Sequence, residues 1–390
     1  ETATIVKVEG MHRIADTFGP IPYVNYGSSS LYDALDLVYN KFFEELDNAI
    51  EVLSNYVNGN VDAKLMSDYD CVYGGDVEKW VKFANTLRLR LAIRVSYANP
   101  TLAEAQAKKS MENMFGFIES KAERAELSHN SLEYHHPLHE IAYNFNSGDC
   151  RPGATIVAYL NGLNDSRISS YFTAADDGEY HGVRIGITTS NMSNYQGNKI
   201  SNLNINRAST PVVWMTAAES FFLRAEGALR GWDMGGTAKS FYEQGVRMSF
   251  EENNAAGVDD YLADHTSTPG AFADNVGSDN YTFSSRVTPA WDDNAGFEAQ
   301  LERIITQKWI ANYPDGPEGW SEYRRTGYPE VIPVVRNSSN GTIDTQLQVR
   351  RLPYTRDEKI NNASGVASGI SALGGQDTGG TKLWWDKKSR

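Results

Sequence analysis

Four of the seven histidines fall between positions 129 and 139, as His129, His135, His136 and His139. The spacing His135-x3-His139 would set two imidazoles on one helical face, as a zinc site requires. Pro137 between them argues against such a helix, so the segment reads as a polar loop and no metal is expected. Acid pairs recur at Asp176-Asp177, Glu251-Glu252, Asp259-Asp260 and Asp292-Asp293. Glycoside hydrolysis needs two carboxyls facing each other across a sugar, roughly 5–10 Å apart. Adjacency in sequence provides no such cleft, and these pairs read as solvated turns. The sequence contains no G-x-S-x-G elbow and no G-x-G-x-x-G after a strand. Gly231-x4-Gly236 has the outline of a phosphate loop, but Thr237-Ala238 stands where Lys-Ser/Thr is required. Arg324, Arg325, Arg350 and Arg351 would suit an anion; pairing with surplus acids or with helix C-termini accounts for them better.

Aromatic residues within polar loops suggest a different chemistry. One face of a sugar ring is apolar C–H and stacks on Tyr or Trp, while its hydroxyls need amide, carboxylate, Arg or His partners. Three segments carry that mixture. The first is Tyr143-Asn144-Phe145-Asn146 with Asp149 and Arg151. The second runs from Tyr180-His181 to Tyr195-Gln196 and Asn198. The third is Trp291 with Asp292 and Asp293. Tyr143, Asn144, Asn146, Arg151, Tyr180, His181, Tyr195 and Trp291 are therefore the candidate ligand-binding residues. No cofactor and no catalytic residue is expected.

The scaffold that positions them is helical. Ile5, Val8, Met11, Ile14, Ala15 and Phe18 recur at helical spacing, up to the stop at Gly19-Pro20. A second stripe runs from Leu35 to Leu53. A third helix is expected from Val77 to before Pro100 and a fourth from Leu102 to Ile118. Residues 128–210 lose this period and accumulate Gly, Asn, Ser, Asp and Tyr, with a short helix near 152–162 and short strands expected within Val183–Thr189. Helices resume at Val212–Arg230 and Thr237–Glu251. In the latter, Ala238, Tyr242 and Gly245 alternate small, large, small, as in the second helix of a tetratricopeptide (TPR) unit. A helix over Phe297–Asn312 follows, and 329–390 read as irregular cover. The fold class is thus mainly α: TPR-like helical hairpins (an α-α superhelix) with long irregular, loop-rich insertions. Its expected parts are hairpins over 1–127, the insertion over 128–210, a TPR-like hairpin over 211–255, and a helix with irregular cover over 256–390, all in one domain.

Composition sets outer bounds. The chain has 390 residues and a formal net charge of −14, which disfavours nucleic acid and anionic lipid as partners. No run of 18 apolar residues is present. Cys71 and Cys150 sit in no metal-like or redox spacing, and their pairing is left open.

Several segments, in order, resemble the SusD-like (SusD/RagB) family of outer-membrane nutrient-binding lipoproteins. They are Phe18-Gly19-Pro20-Ile21-Pro22-Tyr23, Glu45–Ile50, Asp70–Asp76, Trp80 with Phe83–Arg90, and Met215–Glu226. Gln307-Lys308-Trp309, Glu322–Pro329, Arg350–Tyr354 and Trp384-Trp385-Asp386 complete the set. The resemblance implies a TPR-containing helical scaffold with a loop-rich face that binds an oligosaccharide or other nutrient without cleaving it. It further implies the outer face of a Gram-negative outer membrane, an N-terminal lipid anchor, and a SusC-like TonB-dependent transporter as partner. Family members begin with a lipoprotein signal, a lipid-bearing Cys and further helices, about a hundred residues not seen in this sequence. Two rival readings remain: a structural adaptor for the transporter with no ligand site of its own, and a glycoside hydrolase on a helical scaffold.

Overall fold

The computed structural model describes residues 1–60, 64–127, 136–144, 150–187, 193–206, 209–274, 276–277 and 279–388. Helix α1 (Thr2–Phe18) buries Ile5, Val8 and Ala15, and beside them Glu9, His12 and Asp16. Helix α2 (Leu35–Gly59) buries a continuous stripe from Leu35 through Tyr39, Phe42, Leu46 and Ile50 to Leu53, the period of an amphipathic helix. Helix α3 (Val77–Arg94) starts where the Asp76 carboxylate accepts from Lys79 N at 3.1 Å. Helix α4 (Pro100–Glu112) starts at Pro100 under an Asn99 cap. It ends short of the expected Ile118: Phe117 and Ile118 lie buried in non-helical chain instead.

The middle of the chain is built from short pieces. Strand β1 (Ala125–Leu127) is followed by α5 (Pro137–His139), which runs into a π turn over Glu140–Asn144. Pro137 occupies the first helical position, and His136 caps it with its side chain. The proline therefore starts a helix rather than interrupting one; His135 lies outside the described residues. Helices α6 (Ala154–Gly162) and α7 (Ile168–Tyr171) follow, then strands β2 (Phe172–Thr173), β3 (Asn202–Leu203) and β4 (Val212–Met215). β1 pairs antiparallel with β4, and β2 with β3. The strands expected within Val183–Thr189 reduce to a single bridge, Gly153 to Val183, among the described residues.

Helices α8 (Ala217–Leu229) and α9 (Ala238–Glu252) form the TPR-like pair. The expected helix from Val212 is a strand up to Met215, because Val-Val-Trp is β-branched and aromatic and Thr216 begins the helix by accepting from Glu219 N. Gly245 lets α9 sit against α8: a Cβ there would lie 2.8 Å from the Phe222 ring. Helices α10 (Val258–Leu262), α11 (Phe297–Ala311) and α12 (Gly316–Thr326) complete the body. The tail read as wholly irregular carries α13 (Arg356–Asn361) and α14 (Ala363–Leu373), capped by Thr355 and Asn362. Cys71 and Cys150 are free thiols. Among the described residues no helix is long and apolar enough to cross a membrane.

Two large apolar clusters fill most of the interior, one around α1 and α2, the other around α6, α8 and α9, and a small third joins Tyr32, Tyr354 and Val366. Helix α3 belongs to both: Leu87 and Leu91 face the first cluster, Leu89 and Ile93 the second. Its arginines are buried too. Arg90 donates to Glu219 at 2.9 and 2.6 Å and lies 3.3 Å from Glu9. Arg94 donates to Glu318 at 2.5 Å. Lys308 of α11 donates to Glu318 at 2.9 Å and lies 3.3 Å from Glu219 and from Glu322. Arg325 pairs with Glu226 at 2.6 Å and with Glu322. Burial alone would raise the pKa of Glu9, Glu226 and Glu318; the cations beside them reverse it. Glu9 and Glu318 sit well below the carboxylate range, and Glu226 at about 2.

The C-terminal segment closes against α1. Trp385 Nε1 donates to Asp16 at 2.8 Å, Leu352 N to the Thr17 carbonyl at 2.9 Å, and Arg351 to the Phe18 carbonyl at 2.7 Å. Arg350 pairs with Asp386 at 2.8 Å and Arg351 with Asp377 at 2.6 Å. Arg324 donates to the carbonyls of Asp16 and Arg350. All four arginines weighed as an anion site are therefore engaged by the protein itself.

Glu252, one of the paired acids, is buried beneath the start of α8, where it accepts from Ala217 N at 2.9 Å. Burial raises its pKa to about 7, with the N–H and Arg124 only partly opposing this. Between pH 4.5 and about 7 the folded chain therefore holds a proton that the unfolded chain has released, and stability falls as pH rises through that window. At about 1.4 kcal/mol per pH unit the loss is about 3 kcal/mol. Glu252→Gln keeps an oxygen for Ala217. It should be more stable than the parent by about 2–3 kcal/mol at pH 8 and equal to it at pH 4, read from urea midpoints at both values.

Candidate functional site

The irregular segments pack as one cover over α6 and α7. Ala154 N donates to the Val183 carbonyl and Val183 N to that of Pro152, both at 2.9 Å, so the chain after Arg151 lies beside residue 183. His181 N donates to Ser201 Oγ at 3.0 Å, and Ser201 N to the His181 carbonyl at 3.2 Å. Two residues on, the Leu203 carbonyl accepts from the Tyr143 hydroxyl. Ser201–Leu203 thus contacts both Tyr143 and His181, from positions about 7 Å apart along an extended chain.

Tyr143 keeps 38% of its surface exposed. Its ring stacks on His139, with centroids 4.8 Å apart at 27°. Asn144 is exposed, and its amide donates to Glu140 at 2.6 Å. Arg151 is half-buried and its Nε has no hydrogen-bond partner among the described residues. Tyr180 is half-buried against the second apolar cluster, and its carbonyl accepts from Asn161 at 3.1 Å. The half-buried His181 ring meets the Asp177 carboxylate at 2.7 Å and holds it below its usual pKa. Asn146, with Phe145 and Asp149, lies outside the described residues.

Two other aromatics serve the scaffold. Tyr195 is 7% exposed and donates to Asp274 at 2.9 Å; burial and that carboxylate push its pKa to about 12, so the hydroxyl remains a donor. Trp291 is also 7% exposed and does not stand on a polar loop surface. Its ring packs on Tyr242 of α9, with centroids 5.3 Å apart, while its N–H donates to Asp293 at 3.0 Å. The polar neighbours Asp292 and Asp293 gave it a loop-like context, but the indole is core.

Sequence reasoning missed Arg184. Its guanidinium lies 5.6 Å from the Tyr281 ring centroid and donates to the carbonyls of Pro333, Asp279 and Asn280, each at 3.0 Å. Tyr281 in turn donates to Glu330 at 2.8 Å. This joins three loops that lie far apart in sequence, so no local spacing announces it. A hollow of about 450 Å³ was missed for the same reason: Phe18, Tyr26 and Tyr32 meet Tyr354 and Glu358 there. Among the described residues no cluster of His, Cys, Asp and Glu is arranged to hold a metal.

The described surface therefore offers aromatic faces beside amide, imidazole and guanidinium groups, the equipment for gripping a hydroxylated ligand by stacking and hydrogen bonds. A chitin-binding SusD homologue from Flavobacterium johnsoniae superposes with a TM-score of 0.95 at 42% identity, over 100% of this chain and 80% of that one. A SusD homologue from Bacteroides uniformis is 43% identical over 99% of this chain and 81% of its own, with a TM-score of 0.92. One from Bacteroides vulgatus is 40% identical over 100% and 79%, with a TM-score of 0.93. No curated protein matches. Residues 1–386 match the SusD-like family, described as SusD and RagB outer membrane lipoprotein. The ordered motifs, the helical frame and these likenesses agree: the chain belongs to the SusD-like family.

Proposed function

We propose that this protein captures an oligosaccharide on its loop face, at the surface of a Gram-negative outer membrane to which a lipid holds it. It then delivers the oligosaccharide, uncleaved, to a SusC-like TonB-dependent transporter. The observation that carries the reading is the 42% identity, over the whole chain, to a relative that binds chitin. Chitin fragments, which are β-linked N-acetylglucosamine oligomers, are accordingly the first ligands to test.

Tyr143 and Tyr180 are the aromatic platforms, because both keep exposed surface. Asn144, Asn146, Arg151 and His181 supply hydrogen bonds. Tyr195 and Trp291 act from beneath: the first fixes the loop through Asp274, the second anchors the cover to α9. Individual contacts are weak, and several sugar units engaged together along a polymer supply avidity. Each aromatic stack contributes about 0.5–1.5 kcal/mol, so Tyr143→Ala with Tyr180→Ala should weaken chitooligosaccharide binding about 5- to 100-fold. Calorimetry on the folded double variant reads this. Unchanged affinity would move the site elsewhere, with the hollow at Tyr26 next in line. If the protein is instead an adaptor without a ligand site, the same variant takes up sugar normally in cells.

A further inference from the structure

A second cavity, of about 330 Å³, lies where strand β4, the start of α8, the end of α9 and the end of α11 converge, beside Asn204 and Ile205, which continue the Ser201–Leu203 segment. Its size is at the lower end of the range for small-molecule sites. Trp214, Tyr171 and Tyr313 supply ring surface, the two tyrosine rings lying 4.7 Å apart. Most polar groups in the wall already have protein partners. Asn253 donates to the Ser249 carbonyl at 2.8 Å and to the Tyr171 hydroxyl at 3.3 Å. Glu252 holds Ala217 N, Glu219 pairs with Arg90, and Asp315 pairs with Arg13 at 2.8 Å.

The exceptions are adjacent. Asn312 is 5% exposed, and neither Oδ1 nor Nδ2 of its amide has a hydrogen-bond partner among the described residues; the same holds for the Tyr313 hydroxyl beside it. Buried amides and phenols are nearly always satisfied, so three orphaned atoms on two adjacent residues that line the cavity point to an occupant. Two amide hydrogens, a carbonyl oxygen and a phenol that can donate or accept match a pair of neighbouring hydroxyls or an acetamido group. The acids here are paired with arginines or hold a backbone N–H; Arg124 pairs with Glu126, and Lys121 donates to the Glu251 carbonyl and to Asn254, so no strong charge of either sign is left for a ligand.

We propose that this cavity is a second ligand site, for a single neutral hydroxylated ring: one free sugar, or the end residue of a chain, held between the aromatic rings and the Asn312 amide. It is independent of whether the loop face binds polymer. The test uses N-acetylglucosamine and glucose as probes, by calorimetry and by soaking crystals of the full chain. The expected result is a sugar ring in the cavity bonded to Asn312, and a loss of at least tenfold in affinity in Asn312→Leu, which keeps the size and removes both polar atoms. Ordered water alone at Asn312 under saturating probe would overturn the proposal. So would equal affinity in a folded Asn312→Leu. Should that variant not fold, the soak of the unaltered protein decides.

Discussion

Arg90→Ala should cost about 3–5 kcal/mol, a large share of the roughly 5–15 kcal/mol that holds a domain folded. The guanidinium is fully buried and satisfies Glu219 twice while approaching Glu9. Removing it leaves the buried Glu219 carboxylate with only Lys308, 3.3 Å away, and takes one of two guanidiniums from Glu9. Arg90→Lys should recover little, since one ammonium cannot reproduce the paired bonds of a planar fork. Arg90→Met combined with Glu219→Leu should recover part of the loss, because apolar groups of similar volume leave no charge uncompensated. Urea unfolding of the three variants gives the order. Should Arg90→Ala unfold at the same midpoint as the parent, the network is decoration.

Gly162→Ala is the second large effect. A Cβ there would lie 1.9 Å from Gly270 N and 2.6 Å from the Thr268 carbonyl, and both contacts are backbone. Neither can swing aside as a side chain would, so the loop that crosses the last turn of α6 must lift. Overpacking of this kind costs up to about 3 kcal/mol, occasionally more. The lifted loop carries Asp274 and Tyr281, the partners of Tyr195 and Arg184. Gly162→Ala should therefore lower the melting temperature and weaken oligosaccharide binding together, whereas a substitution at the exposed end of α4 should change neither. A fall in stability with full binding would mean that the sugar rests on another part of the surface.

How far the residues announced this architecture depended on whether the deciding contact was local. The stripe of α2 and the Ala-Tyr-Gly pattern of α9 were visible because a helix shows its buried face in its own spacing. The strand at Val212–Met215 was misread as helix, although Thr216 followed three residues later by Glu219 marks a helix start. Helices α13 and α14 hid behind glycines. Gly365 and Gly369 are there for close approach to Ser30 and to Tyr32, contacts that span more than 300 residues, and Gly369 also meets Tyr354. At the candidate site, the spacing of Tyr143 and Tyr180 located loops rich in polar and aromatic groups. The burial of Trp291 could not be read, because the Tyr242 ring that covers it belongs to a helix some fifty residues earlier. The burial of Arg90 and Arg94 was hidden likewise: their partners sit on α1, α8 and α12.

The closure of the C-terminal segment on α1 has a consequence for biosynthesis. Trp385 follows Asp16, the group it bonds, by 369 positions. At a ribosomal rate of roughly 5–20 residues per second, about 20–70 s separate the emergence of the two. Throughout that interval α1 has α2 to pack against, but its Asp16–Phe18 end lacks the segment that closes it and stays open to aggregation. Holdase assistance should thus matter more for this protein than for a helical bundle of equal size whose neighbours follow one another along the chain.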